Sequence, residues 1–252
     1  TMKHCDNFLV SEKKFLNTSF FKLKLKSKNT LPEINPGQFV EVQVNSDSKV
    51  LLRRPISIND VDFQNNEISL IIQTVGQGTK ELAKISEGEE VSLIYPLGNG
   101  FKLEGESPIL VGGGVGIAPL LYLAKQFYAK GIKPDVLLGF RSKDQIIPLE
   151  EFEKYSNLYI STQDGSIGEK GLVTENKIFS ASHDVIYTCG PTPMMKAIAE
   201  YALKNNIKCY ASLENKMACG IGACLCCVQN TTEGHKCTCT EGPVFNVKDI
   251  IW

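Results

Sequence analysis

The sequence predicts an α+β multidomain chain: an antiparallel β-barrel, an α/β domain on a parallel sheet, and a small metal-centred subdomain at the C-terminus. Three observations carry this. Up to about residue 103, apolar and polar positions alternate with period two in short runs parted by turns. After about residue 108, short apolar runs alternate with stretches of helical spacing. Six of the 9 cysteines, Cys219, Cys224, Cys226, Cys227, Cys237 and Cys239, crowd into residues 219–239.

In the first part, Phe21-Lys22-Leu23-Lys24-Leu25-Lys26 and Val40-Glu41-Val42-Gln43-Val44 read as half-buried strands. Pro36-Gly37 marks a turn between them, and Asn65-Asn66 another before a strand over 68–74. Val91-Ser92-Leu93-Ile94-Tyr95 adds a further strand, and Pro96-Leu97-Gly98-Asn99-Gly100-Phe101 reads as a plain closing turn. Several short strands closed by turns give a small barrel over 1–103.

The polar, turn-rich Leu103-Glu104-Gly105-Glu106-Ser107-Pro108 marks a boundary. Beyond it Ile109-Leu110-Val111, Val136-Leu137-Leu138-Gly139, Leu158-Tyr159-Ile160 and Val185-Ile186-Tyr187 read as buried strands, with helices over 118–130 and 194–205. That alternation implies a parallel, doubly wound sheet over 104–209. From 210 to 252 the chain is rich in Gly and Cys with little periodicity, as expected of a fold organised around a metal.

Of the 252 residues, 42% are hydrophobic, which excludes disorder. A net charge of −1 and the absence of a basic stripe exclude nucleic acid as the expected partner. Lys22, Lys24 and Lys26 alternate with apolar residues and belong to the solvent face of a strand. No apolar run approaches a membrane span, and Thr1 to Asp6 lead into no apolar secretory segment, so a soluble cytoplasmic chain without a disulfide framework is expected.

Cys219, Cys224 and Cys227 have C-x4-C-x2-C spacing followed by a distant fourth Cys, the plant-type [2Fe–2S] pattern. Thiolates suit iron, and Gly220 and Gly222 let backbone amides approach sulfur. The alternative is a structural zinc built from Cys224, Cys227, Cys237 and Cys239. Cys226 and Cys237 are expected non-ligands, with Cys237 the rival to Cys239 for the fourth place.

Arg53-Arg54-Pro55-Ile56-Ser57-Ile58 offers a guanidinium for a pyrophosphate and a hydroxyl for a flavin. Gly76-Gln77-Gly78-Thr79 before a helical run adds a turn, capped by Thr79, that aims a helix N-terminus at an anion. In Gly112-Gly113-Gly114-Val115-Gly116-Ile117-Ala118-Pro119 a buried strand runs through glycines into a helix, a context for a dinucleotide pyrophosphate. Pro119 stands where a regular fingerprint has its third Gly. Cys189-Gly190-Pro191 ends a strand at the same sheet edge, with Cys189 either a small buried residue or a nicotinamide contact.

Together these motifs resemble the ferredoxin–NADP reductase-like superfamily. Met217-Ala218-Cys219 through Cys224, followed by Cys239-Thr240-Glu241-Gly242-Pro243-Val244-Phe245, is similar to one branch, the electron-transfer subunits of class 1B dihydroorotate dehydrogenase. The resemblance implies an FAD-binding barrel, an NAD-binding α/β domain and a [2Fe–2S] subdomain. It assigns Arg54, Pro55, Ile56, Ser57, Ile71, Ile72, Gln73, Gly78 and Thr79 to FAD. For NAD the candidates are Gly112, Gly113, Gly114, Gly116, Cys189, Gly190 and Pro191, and the resemblance favours Cys219, Cys224, Cys227 and Cys239 as iron ligands. It implies an FMN-containing partner that oxidises dihydroorotate to orotate in pyrimidine biosynthesis, two copies of each forming a heterotetramer. No catalytic residue is expected here, since electrons pass through cofactors. NAD is expected over NADP, because beyond Gly139 only Arg141 could meet a 2′-phosphate. The rivals are a small subunit of a ferredoxin-dependent NAD(P)H transhydrogenase or a hydrogenase complex and, in another class, a zinc-stabilised binding module without redox chemistry.

Overall fold

The computed structural model describes residues 2–44 and 50–252; Thr1, read above with the N-terminal stretch, lies outside them. Six strands form a closed antiparallel barrel: β1 (His4–Phe15), β2 (Phe20–Ser27), β3 (Phe39–Val42), β4 (Arg54–Asp62), β5 (Glu67–Gln73) and β6 (Glu90–Leu97), in the order β1-β2-β5-β4-β3-β6. A short helix, α1 (Gln77–Leu82), sits between β5 and β6. Alternation makes β2 as expected. Phe21, Leu23 and Leu25 enter the barrel core with Phe8, Ile58, Ile68 and Leu70, while Lys22 and Lys24 face out to Glu151 and Glu12. Asn66 takes the left-handed backbone that closes the β4–β5 turn.

Strand β3 corrects the expectation of a half-buried strand. All four of its residues are buried, Glu41 included. Val40 and Val42 join the barrel core, whereas Phe39 packs with Leu97, Cys227 and Cys239, because the cysteine-rich segment covers the outer face. Strand β1 carried no recognised signal, although twelve of its residues span two neighbouring strands.

The second part contains β7 (Pro108–Gly113), α2 (Ala118–Ala129), β8 (Asp135–Phe140), α3 (Glu150–Tyr155), β9 (Asn157–Thr162), β10 (Glu169–Lys170), β11 (Val185–Cys189), α4 (Thr192–Lys204) and β12 (Lys208–Ser212). A 3₁₀ turn, Gly114–Ile117, joins β7 to α2. The sheet order is β10-β9-β8-β7-β11-β12 and every pair among these is parallel. Apolar layers cover both faces: Leu120, Leu123 and Phe127 of α2 on one, Met195, Ile198 and Ala202 of α4 on the other. Helix α2 also meets the barrel, where Tyr122 donates to the Ile34 carbonyl at 3.0 Å and Asn59 donates to that of Ala118 at 2.8 Å.

The hairpin of β13 (Val228–Thr231) and β14 (Gly234–Cys237) stands in the cysteine-rich segment, and β15 (Val244–Asn246) adds antiparallel to β12 as the sheet's seventh strand. The expected boundary at 209/210 therefore falls within β12. The turn after β6 is more than the plain turn expected. Asn99 donates its backbone N–H to Gly242 at 2.6 Å and its side-chain amide to Thr240 and Glu241, tying the barrel to the chain beyond the last cysteine.

Candidate functional site

A cleft of about 390 Å³ opens where the three parts meet. The barrel supplies Phe39, Pro55, Ile56, Ser57, Ile71, Ile72, Gln73, Val75 and Thr79. The α/β domain supplies Val115 and Ala118, and the far wall is residues 212–217 with Pro243. The structure thus gathers seven of the sequence-predicted flavin residues around one volume, because the start of β4 and the end of β5 lie side by side. A mostly apolar cleft with polar groups at Ser57, Gln73 and Thr79 suits a flat ring with a polar rim.

Arg54 and Gly78 meet at the mouth. A Cβ on Gly78 would stand 2.7 Å from Arg54 Cδ, so only glycine lets the guanidinium stem lie against α1. Arg54 donates from Nε to the Arg53 carbonyl and from Nη2 to that of Leu52. Arg53 is committed elsewhere. Its Nη1 donates to the Ser92 carbonyl at 2.8 Å and its Nη2 to Ser92 Oγ at 2.9 Å, which fixes it across the barrel. The expected cap is displaced: Gly76 is the N-cap of α1, and Thr79 Oγ1 reaches back to accept the N–H groups of Val75 and Gly76 at 3.1 Å.

The glycine loops of β7 and β11 come together at the C-terminal edge of the sheet. Cys189 pairs with Gly112 in register, and a Cβ on Gly116 would lie 2.4 Å from Gly190 N and 2.5 Å from the Cys189 carbonyl carbon. Gly114 and Gly190 both take positive φ. Backbone lies against backbone here, and the Met194 side chain packs beside both Gly113 and Gly190. Cys189 is buried, and burial drives its thiol far above the usual range. Its thiol is therefore held neutral as a small buried group.

Cysteines 219, 224, 227 and 239 approach one another in two pairs. The Cys224 N–H donates to Cys219 Sγ at 3.4 Å, and the Cys239 N–H donates to Cys227 Sγ at 3.4 Å. Burial raises the Cys219 thiol, but amide donors from Ile221, Cys224 and Ala223 outweigh it and hold the group at about 6. Burial and the neighbouring Cys227 push Cys239 up to about 12. Among the described residues no three His, Cys, Asp or Glu side chains converge as for a single metal ion. Amide donors aimed at sulfur are what thiolates that bind iron call for. Gly220, Gly222 and Leu225 take positive φ in the loop that makes this possible.

Two acidic residues escaped the sequence. Glu214 lines the cleft, and the protein packed around it raises its carboxyl. Glu41 is fully buried beneath the cysteine loop, and among the described residues neither of its oxygens has a hydrogen-bond partner. A Cβ on Gly220 would stand 2.5 Å from Glu41 Cγ. Burial holds the Glu41 carboxyl up at about 7 against the pull of Arg54 and Arg53, with Cys219 adding to the rise. In the sequence it reads as one more polar position of an alternating strand.

Comparison with known proteins agrees with this division. Residues 8–101 match the oxidoreductase FAD-binding domain family, 110–200 the oxidoreductase NAD-binding domain family, and 214–251 the iron–sulfur cluster binding domain of dihydroorotate dehydrogenase B. The last match sets the zinc reading aside. The chain is 40% identical over 241 residues to the dihydroorotate dehydrogenase B (NAD(+)) electron transfer subunit of Fusobacterium nucleatum subsp. nucleatum, covering 91% of this chain and 92% of that one. It is 39% identical over 261 residues to the subunit of that name from Bacillus cereus, covering 99% and 100%. A chain from the solved structure of NADH-dependent reduced ferredoxin-NADP oxidoreductase, described for flavin-based electron bifurcation, superposes with a TM-score of 0.88 at 31% identity, covering 97% of this chain and 90% of that chain. Phthalate dioxygenase reductase shares the fold, with a TM-score of 0.65 at 23% identity over 78% of this chain and 63% of that one.

Proposed function

The chain belongs to the family of dihydroorotate dehydrogenase B electron transfer subunits, and from that premise we propose that it relays electrons between NAD and an FMN-containing partner that oxidises dihydroorotate. The observation that carries the reading is the cleft itself, walled by the flavin strands, by Val115 and Ala118 of the nicotinamide domain, and by the arm 212–217 that leads into the cysteine loop. A nicotinamide exchanges electrons as a hydride pair, a [2Fe–2S] cluster takes them singly, and FAD does both, so FAD belongs at the centre.

The chain's own residues bind and orient. Pro55, Ile56, Ile71 and Ile72 form an apolar wall, and Ser57, Gln73 and Thr79 supply polar contacts at its rim. Arg54, at the mouth of the cleft beside Gly78, would hold phosphate, while Arg53 serves the barrel through Ser92. The loops at 112–116 and 189–191 would seat NAD at the sheet edge, beside the cleft that Val115 lines. Cys219, Cys224, Cys227 and Cys239 would hold the cluster, their sulfurs met by backbone amides such as those of Cys224 and Cys239. We take 1–103, 104–209 and 210–252 as the FAD, NAD and cluster parts, two copies of this chain and two of the partner as the assembly, and the cytoplasm as its place. Among the described residues no helix is long and apolar enough to cross a membrane.

The second reading, a transhydrogenase small subunit, draws on the 31% identity to the ferredoxin-NADP oxidoreductase chain. Reconstitution separates the two. The purified chain should reduce artificial dyes with NADH yet form no orotate, and an FMN-containing dihydroorotate dehydrogenase should restore dihydroorotate-dependent NAD reduction. Orotate formation by the chain alone, or activity restored only by a ferredoxin-linked flavoprotein, overturns the proposal.

A further inference from the structure

We propose that Cys237 is an alternative fourth ligand, its thiol able to replace that of Cys239 on the iron that Cys227 holds, so that the site carries five ligand-competent thiols. This rests on reading Cys219, Cys224, Cys227 and Cys239 as the resident set.

The geometry sets Cys237 apart from Cys226. Cys226 is exposed, whereas Cys237 is half-buried and packs against the cluster of Phe39, Leu97, Cys227 and Cys239. Cys237 stands across the hairpin from Val228, the residue after Cys227, and the Thr238 N–H donates to the Cys227 carbonyl at 3.0 Å. The turn from 237 to 240 is closed by the Thr240 N–H on the Cys237 carbonyl at 3.1 Å. It folds Cys239 back, so Cys237 and Cys239 both pack in one cluster with Cys227.

Nothing in this arrangement depends on Cys239. The Cys237 N–H donates to Glu241 Oε2 at 2.7 Å, and the Cys237 carbonyl accepts the Glu241 N–H at 2.9 Å. The Cys237 thiol therefore stays beside Cys227 whichever residue occupies position 239. In the exchange the Cys237 thiol loses its proton to solvent and bonds to iron, the Cys239 thiolate leaves iron and takes a proton from solvent, and no oxidation state changes.

The test uses the full chain with FAD, reconstituted with iron and sulfide, in the variants Cys239→Ala, Cys237→Ala and the double alanine. Alanine is chosen because a serine oxygen could itself hold iron. Iron and sulfide per chain and the electron paramagnetic resonance spectrum of the reduced cluster are the readouts, with FAD content reporting folding. Each single variant should keep a cluster, the spectrum of Cys239→Ala being altered, and the double variant should lose roughly tenfold or more of the iron. Cys239→Ala that keeps FAD but holds no iron, beside an iron-replete Cys237→Ala, overturns the proposal and leaves Cys239 as the resident ligand. Loss in Cys237→Ala alone overturns the ligand reading itself. Should Cys239→Ala lose FAD too, the size-conserving Cys239→Ser decides. A spectrum that changes on adding Cys237→Ala supports the exchange, and an unchanged one refutes it.

Discussion

Glu41→Gln should stabilise the chain in a pH-dependent way. The carboxyl is fully buried, both oxygens are without a partner among the described residues, and burial lifts it from 4.5 to about 7. At about 1.36 kcal/mol per pKa unit, the ionised form disfavours folding by about 3 kcal/mol. A folded-state pKa above the unfolded one means that the native chain holds the proton more tightly. Stability therefore falls as pH rises from 4.5 through about 7 and levels off beyond. Glutamine keeps the shape and carries no charge at any pH. Urea unfolding of both proteins, followed by far-ultraviolet circular dichroism, should find the variant ahead by about 3 kcal/mol more at pH 8 than at pH 4, where both side chains are neutral. At about pH 5 most of that advantage should be gone. A gap between the two proteins that stays constant across this range would refute the reasoning. It would mean that Glu41 finds a charged partner in the folded chain.

Arg54→Ala should weaken FAD retention tenfold to a hundredfold, the loss of a charge-assisted contact of roughly 1.5–3 kcal/mol. Arg53→Ala should leave flavin affinity nearly unchanged and lower stability instead, because its guanidinium is spent on Ser92; equilibrium dialysis and thermal melts separate the two. In Gly116→Ala a Cβ would press on the backbone of Gly190 and Cys189, so KM for NADH should rise by roughly tenfold to a hundredfold while the FAD and cluster spectra hold. Cys224→Ala and Cys227→Ala should each remove the cluster and leave FAD bound, whereas Cys226→Ala should leave iron per chain at the wild-type level.

What could be read in the sequence was what repeats or spaces itself locally. Strand β2 is legible because one face is wet, and the cysteine spacing because thiolate ligation fixes it. Strand β3 looked alike but is covered on both faces, by the barrel core and by a segment nearly two hundred positions away. No local pattern records such a cover, and so Glu41 passed for a surface residue. Glu214 was missed for the same reason, since the cleft it lines exists only after three parts of the chain assemble. The six-residue α3 and two-residue β10 are too short to show a period. The turn at Asn99 read as ordinary because its partners lie some 140 residues on.

Those distant ties explain how a cysteine-rich arm with little core of its own can serve an electron relay. Single-electron transfer demands a fixed short separation between cofactors, and a freely swinging arm would not keep one. The arm is fastened at each of its borders. On the sheet side, β15 pairs with β12 and the Leu213 N–H donates to the Pro243 carbonyl at 2.8 Å. On the barrel side, Asn99 holds residues 240–242, and Phe39 lies under Cys227 and Cys239. Lys3 Nζ donates to the Ile221 carbonyl at 3.0 Å, fastening the loop itself to the start of β1. The same residues 212–217 and Pro243 form the far wall of the cleft. Whatever fixes the cysteine loop thus fixes the cleft as well. The buried Glu41 is tolerated at this junction because the loop must cross the barrel closely, and only Gly220 lets it do so.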